Sequence, residues 1–185
     1  GFAYRYVPIR NQPDKQQNIN TDKLYQNFVH HFQWGNLGSP GIFIGENIRN
    51  TIHSANIKSN FHHLALSLSI RKQEVKAIET IDKLYNILPL KRYETTPDDV
   101  ALATVYYHLQ QNDKADRVIE EFANDRLDNI QFYLSMGNRY IDSFQQQKEK
   151  EKRVLNEALS LLEKNQRTEL SAIIEKKFEH IINTN

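Results

Sequence analysis

One spacing of large and small residues occurs twice in this chain, and it constrains the fold more than any other feature. The first copy runs in the order aromatic, Leu, small, large, Ala, large, large, Pro: Phe61, Leu64, Ala65, Leu68, Ala77, Ile81, Leu84 and Pro89. The second copy has the same offsets: Leu102, Ala103, Tyr106, Ala115, Ile119 and Phe122. Asp99 takes the place of its opening aromatic residue, and the closing proline is missing. The spacing predicts two copies of one structural unit.

The order of these residues matches the tetratricopeptide pattern of about 34 residues, in which two antiparallel helices form a hairpin. Small residues occur where the helices approach closely, and large residues fill the space between hairpins. Between Leu64 and Ile70, large apolar residues alternate with small residues at period two. This alternation alone would favour a strand, but the pattern on both sides is helical. Thr96 to Asp99 begins the second hairpin. We therefore predict an all-α, tetratricopeptide-like fold of about three stacked helical hairpins.

The remaining segments complete this organisation. Residues 1–45 are predicted to form an irregular N-terminal cap, made of an extended arm and a short helix with Thr21 as its N-cap. Residues 42–44 behind it are predicted to be extended and able to pair with the arm. Residues 46–185 form the hairpin domain, with a helix around 130–136 and a divergent third hairpin at the end. The opening at Gly1, without Met or a signal peptide, indicates a piece of a longer protein.

Charge and composition exclude several classes of function. The chain has 24 basic and 23 acidic residues and a formal net charge of +1, so no global field attracts nucleic acid or an anionic membrane surface. It contains no cysteine, which removes disulfides and thiolate chemistry but fits an extracytoplasmic or a cytosolic location equally well. No apolar run approaches the roughly 20 residues that cross a bilayer. We predict no nucleic-acid partner and no membrane-spanning segment in these residues.

No constellation of residues predicts catalysis. His30-His31 and His62-His63 are adjacent pairs, and neighbours on a helix point about 100° apart, so neither pair can chelate one metal ion. None of the common motifs for nucleotide binding, nucleophilic hydrolysis or zinc proteolysis occurs. The charges of Lys148 to Lys152 offset one another and are typical of a solvated helix surface. We predict no metal, no cofactor and no enzymatic activity for this chain.

The concave face of a hairpin array is its usual binding surface. In this register, six positions on the first helices would line such a groove: His62, Leu66, Ser69, Thr104, Tyr107 and His108. Tyr107, with its apolar body and polar tip, is the predicted anchor for a polypeptide partner. Two alternatives stay open. Tyr107 would instead pack on a neighbouring hairpin, or the N-terminal region of the chain would fill the groove.

Several short segments carry a resemblance to a known family. They are Phe2 to Pro8, Asn20 to Tyr25, Phe32 to Gly35, Gly41 to Ile44, Glu46 to Arg49 and Asn112 to Ala115. Together they resemble the C-terminal soluble region of a large bacterial family of multi-pass membrane proteins of unknown function. That family is similar to the animal protein O-mannosyltransferases that have a membrane-embedded catalytic half and a helical-repeat tail.

The resemblance implies a glycosyltransferase-like membrane region elsewhere in the parent protein, with this chain on the periplasmic side. It carries no catalytic residue over, because the presumed catalytic segment of the family lies outside these residues. The chain is then expected to be a non-catalytic domain that positions an acceptor polypeptide or binds a partner next to the membrane region of its parent. The alternative is a cytosolic tetratricopeptide scaffold that binds a protein partner.

Overall fold

The computed structural model describes residues 20–49, 56–136 and 141–184. All regular elements in these ranges are helical, which confirms the predicted all-α helical-hairpin fold. The contacts divide the chain into two compact units, Gly1–Pro89 and Leu90–Asn185. The sequence suggested a boundary after residue 45, whereas the structure groups the first hairpin with the N-terminal segment. The predicted arm, and therefore its pairing with residues 42–44, lies outside the described residues.

The first helix in the described part of the first unit is α1, Thr21–Tyr25, which continues as a π-helix, Gln26–His31. Asn20 is the N-cap, because its side-chain oxygen accepts from the Lys23 N–H at 3.0 Å. The prediction of Thr21 as the cap is wrong by one residue, since Thr21 is the first residue of α1 and its hydroxyl has no hydrogen-bond partner among the described residues. The hairpin follows as α2, Ile57–Ile70, and α3, Glu74–Ile87, and α3 ends just before Pro89.

Aromatic rings join the N-terminal segment to the first hairpin. The Phe61 ring, on α2, is fully buried, and its centroid lies 4.9 Å from that of Phe28 and 5.5 Å from that of Trp34. Trp34 also donates its indole N–H to the Phe28 carbonyl oxygen at 2.9 Å. Tyr25 donates its hydroxyl to Glu79 on α3. The described part of the predicted cap is therefore packed on both helices of the hairpin.

The described residues of the second unit form four helices: α4, Pro97–His108; α5, Asn112–Ser135; α6, Ile141–Lys164; and α7, Thr168–Thr184. Helices α4 and α5 form the second hairpin, and α6 and α7 form the third. The helix predicted around residue 130 is the last part of α5, which is long enough to contact α4, α6 and α7. Buried side chains of α5 on these contacts include Phe122 and Ile130, both with no exposed area.

Asp99 replaces the opening aromatic residue of the second copy for a clear reason. Its carboxylate accepts from the Thr96 N–H at 2.7 Å, so it closes a capping box at the start of α4. Pro97 occupies the first turn, where no N–H is needed. Asp99 is fully buried, so the position still belongs to the core. The departure from the pattern is thus a change from aromatic packing to helix capping.

The three hairpins share one turn geometry. Lys72, Gln110 and Gln166 all have left-handed backbones, with φ of 58°, 57° and 59°. In each turn the next residue donates its N–H, at 2.9 Å, to a carbonyl five residues back. This is the Schellman arrangement that ends a helix.

Equivalent positions around these turns have equivalent burial. Ala77, Ala115 and Ser171 lie at the same offset after the left-handed residue, and all three are buried. Leu68, Tyr106 and Leu162 lie at the same offset before it and are also buried. The turn therefore fixes the register of the third hairpin, which the sequence spacing did not fix. Ser171 takes the place of the small alanine of the other two hairpins.

Larger side chains at the buried alanine positions should test this register. Ala77 and Ala103 have no exposed area, so an Ala→Leu change at either site would force neighbouring side chains apart. We expect each variant to lose roughly 1–3 kcal/mol of unfolding free energy in urea titrations. Ala172→Leu on the exposed face of α7 is the matched control and should change it by less than about 0.5 kcal/mol. Equal midpoints for all three variants would contradict the register.

Candidate functional site

The six predicted groove residues divide between the two units and differ in exposure. In the first unit, His62 and Leu66 are half-exposed, whereas Ser69 is buried. In the second unit, Thr104 and His108 are exposed, whereas Tyr107 is buried. Thr104 uses its hydroxyl to donate to the Val100 carbonyl in its own helix at 2.9 Å. Four of the six side chains thus reach the surface, and a continuous groove formed by them stays a prediction.

Tyr107 is buried in the second unit, and its hydroxyl is bonded within its own hairpin. Its side chain is only 7% exposed, and its hydroxyl donates to Asp116 Oδ1 at 2.7 Å. Arg167 completes the cluster, because its Nε lies 3.0 and 2.9 Å from the two carboxylate oxygens of Asp116. One carboxylate thereby joins α4, α5 and the turn before α7. The prediction of Tyr107 as a binding anchor is wrong, since its ring and its hydroxyl are both used inside the second unit.

Two tyrosines, Tyr25 and Tyr107, have raised pKa values. Burial, reinforced by a hydrogen bond to Glu79 and by the charge of that carboxylate, raises the pKa of Tyr25 to about 12. Burial also raises the pKa of Tyr107, together with its hydrogen bond to Asp116 and the negative charge there, while Arg167 opposes the shift. Both hydroxyls are therefore donors to carboxylates at neutral pH.

The free energy of unfolding at alkaline pH should depend on the ionisation of these two tyrosines. Folding raises the pKa of Tyr25 from 10.0 to about 12, so its contribution to stability is complete below pH 10 and is lost as the pH rises towards 12. We expect the free energy of unfolding to fall across that range in the wild type. The slope should be smaller in Tyr25→Phe and in Tyr107→Phe, and smallest in the double variant. Identical slopes in all four proteins, measured by denaturant titration at each pH, would refute the assignment.

A polar cleft of about 310 Å³ lies in the second unit, between the segment that precedes α4 and the side of α5. We call residues 90–94 the connector. The connector forms one wall of the cleft, and the other wall is formed by Asp125, Arg126, Asp128 and Asn129 of α5. The volume is at the lower end of the range for small-ligand sites. The cleft can therefore take a small molecule or a short stretch of polypeptide.

Hydrogen bonds to Thr95, the residue that follows the connector, hold this part of the chain against α5. Asp125 Oδ2 accepts from the Thr95 N–H at 3.0 Å and from its hydroxyl at 2.7 Å. Arg126 donates from Nη2 to the Thr95 carbonyl oxygen at 3.2 Å. Every hydrogen-bonding group of Thr95 is thus tied to α5, so the cleft is held open by the fold and does not need a ligand to form it.

Arg126 is the buried charged residue of the cleft lining. Its side chain is 8% exposed, its Nη1 lies 3.1 Å from Glu151 Oε2 on α6, and its guanidinium lies 5.2 Å from the Phe122 ring centroid. Neither Arg126 Nε nor Glu151 Oε2 forms a hydrogen bond of good geometry with a described residue. The pair is held by charge and by burial, with part of its hydrogen-bonding capacity unused.

The spacing of residues along the chain does not indicate this cleft. Thr95 and Asp125 are 30 residues apart, and only the path of α5 past the start of α4 brings them together. Within the described ranges, no group of three or more histidine or acidic side chains could hold a metal ion. The chemistry available in the cleft is hydrogen bonding and ion pairing by fixed polar groups.

Comparison with known proteins adds no relative. No family model, no curated protein and no solved structure matches this chain. Among the helices of the described residues, none combines the length and the apolar character needed to cross a membrane.

Proposed function

We propose that this chain is a non-catalytic interaction domain that holds a polypeptide, either a partner or an acceptor, next to a membrane-bound glycosyltransferase-like region of its parent protein. One observation carries the proposal: three helical hairpins share the same turn geometry, and each has a small buried residue at the same offset after it. Tandem hairpins of the tetratricopeptide kind bind partners through rows of side chains on successive first helices. The periplasmic location and the membrane parent come from the resemblance of the short sequence segments.

The exposed side chains fit this use. His62 and Leu66 on α2, and Thr104 and His108 on α4, are the accessible members of the predicted row. They carry imidazole, hydroxyl and aliphatic groups and no permanent charge. A neutral surface of this composition suits an uncharged stretch of polypeptide better than a strongly acidic or basic one.

Photo-crosslinking in living cells tests the proposed surface. A photoreactive amino acid replaces His62, Thr104 or His108, one at a time, in the full-length parent protein. We expect all three positions to yield a covalent adduct with the same polypeptide, identified by mass spectrometry. Ala172 on the exposed face of α7 is the control position and should yield no such adduct. Equal labelling from Ala172, or a different product from each position, would refute the surface.

The coding sequence around this chain tests the membrane parent. Several apolar segments of about 20 residues elsewhere in the same gene product would support it. Their complete absence would favour the cytosolic tetratricopeptide scaffold instead. Sugar transfer or sugar hydrolysis by the purified chain alone would contradict a non-catalytic role, and we expect neither reaction.

A further inference from the structure

Asn129 presents an unused amide group in the cleft beside the connector. The residue lines the cleft from α5, it is half-buried, and its side chain forms no hydrogen bond with any described residue. A carboxamide has an acceptor oxygen and a donor NH₂ side by side. Most buried side-chain groups of this kind have a partner within the protein. A partially buried amide without one is suited to a ligand that supplies both a donor and an acceptor.

The charged side chains around Asn129 disfavour an anionic ligand. Three cationic side chains line the cleft, and so do three anionic ones: Lys91, Arg92 and Arg126, with Glu94, Asp125 and Asp128. Several of these charges are already paired, because Lys91 lies 3.4 Å from Glu121 and Arg126 lies 3.1 Å from Glu151. Because Glu121 and Glu151 add two negative charges to the three anionic lining residues, the surroundings of the cleft disfavour an anionic ligand. The main chain of a polypeptide carries no charge and is not repelled.

We propose that this cleft binds the main chain of an extended peptide, with the Asn129 carboxamide pairing with the N–H and C=O of one residue. In an extended chain these two groups of a residue point to the same side, so the carboxamide oxygen accepts from the N–H and its NH₂ donates to the C=O. The inference rests on the proposed function and specifies which part of the polypeptide is recognised. Because the contact is to the backbone, recognition in the cleft depends little on peptide sequence.

The cleft is preorganised for such a contact. The bonds of Asp125 and Arg126 to Thr95 hold the connector in place. Preorganisation of this kind reduces the ordering that binding requires. The site also differs from the predicted groove, since it uses the second helix of a hairpin and the connector, whereas the groove uses first helices. Binding at one surface can therefore be distinguished experimentally from binding at the other.

NMR titration of the 185-residue chain tests the site. The probe is an uncharged octapeptide of alanine, glycine, serine and threonine with both ends blocked, added to about 10 mM because one anchored residue gives only millimolar affinity. We expect shifts of the Asn129 side-chain amide and of the connector backbone signals. Asn129→Ala should weaken binding by about tenfold, the loss of two hydrogen bonds. Asn156→Ala, an exposed asparagine on α6, should bind as the wild type does.

The outcomes of this titration distinguish failure of the cleft proposal from failure of the proposed function. Peptide shifts confined to His62, Leu66, Thr104 and His108, with none at Asn129, would overturn the cleft and leave the interaction domain standing. Unaltered affinity in Asn129→Ala would also overturn it. If the chain shows no shift at any residue, backbone recognition is refuted, while the crosslinking experiment still decides whether a specific partner binds. An altered spectrum of free Asn129→Ala would be seen directly, so loss of fold cannot imitate loss of binding.

Discussion

Arg126→Met should destabilise the second unit by about 3–5 kcal/mol, the cost typical of breaking a buried ion pair from one side. The guanidinium is 8% exposed and Glu151, its partner on α6, is 13% exposed. Removing Arg126 leaves that carboxylate with little water and no cation in contact. It also removes the Nη2 hydrogen bond to the Thr95 carbonyl and the stacking over Phe122. Urea unfolding, followed by circular dichroism at neutral pH, measures the loss.

The double variant Arg126→Met, Glu151→Leu separates charge from packing. Two apolar side chains of similar volume leave no buried charge, and such replacements are often neutral or stabilising. We expect the double variant to recover most of the stability lost in Arg126→Met. A smaller loss should remain, because the Thr95 carbonyl is still without its donor. If both variants unfold at the same urea concentration, the uncompensated charge is not the cause, and the ion-pair explanation fails.

The sequence predicted those parts of the fold that local spacing determines. Ala65, Ala77, Ala103 and Ala115 are required by close helix contacts within a hairpin, and all four are fully buried. Contacts of this kind join residues close in sequence, so periodicity reveals them. Asp99 interrupts the pattern, but its hydrogen bond to Thr96 is also local and follows from the chemistry of helix starts.

Other features depend on contacts that no short pattern contains. The left-handed turns use Lys72, Gln110 and Gln166, where glycine would be the usual signal, so the common register of the three hairpins was hidden. Tyr107 has the composition of a binding anchor, and only the position of Asp116 and Arg167 shows that its hydroxyl is already bonded. The cleft likewise needs the connector and α5 in their folded positions. For the candidate site, residue type was therefore a weaker guide than tertiary contact.

Phe61→Ala should cause a loss of similar size in the first unit, about 3–5 kcal/mol, because a fully buried aromatic ring is replaced by a methyl group. Phe61 is the opening aromatic residue of the first repeat copy, and it touches Phe28 and Trp34 of the N-terminal segment. The cavity would therefore weaken both the hairpin and the packing of that segment on it. Edge and tilted contacts between these rings add to the loss from area alone.

Trp34 provides a second measurement at the same place, because it is the only tryptophan of the chain. We expect its fluorescence emission to move to longer wavelength in Phe61→Ala, since the indole loses the ring that shields it from water. Phe43→Ala is the matched control, because the Phe43 side chain is 89% exposed in the same unit. It should change stability by less than about 0.5 kcal/mol and leave the emission unaltered. Equal unfolding midpoints for the two variants would show that the aromatic cluster does not join the N-terminal segment to the hairpin.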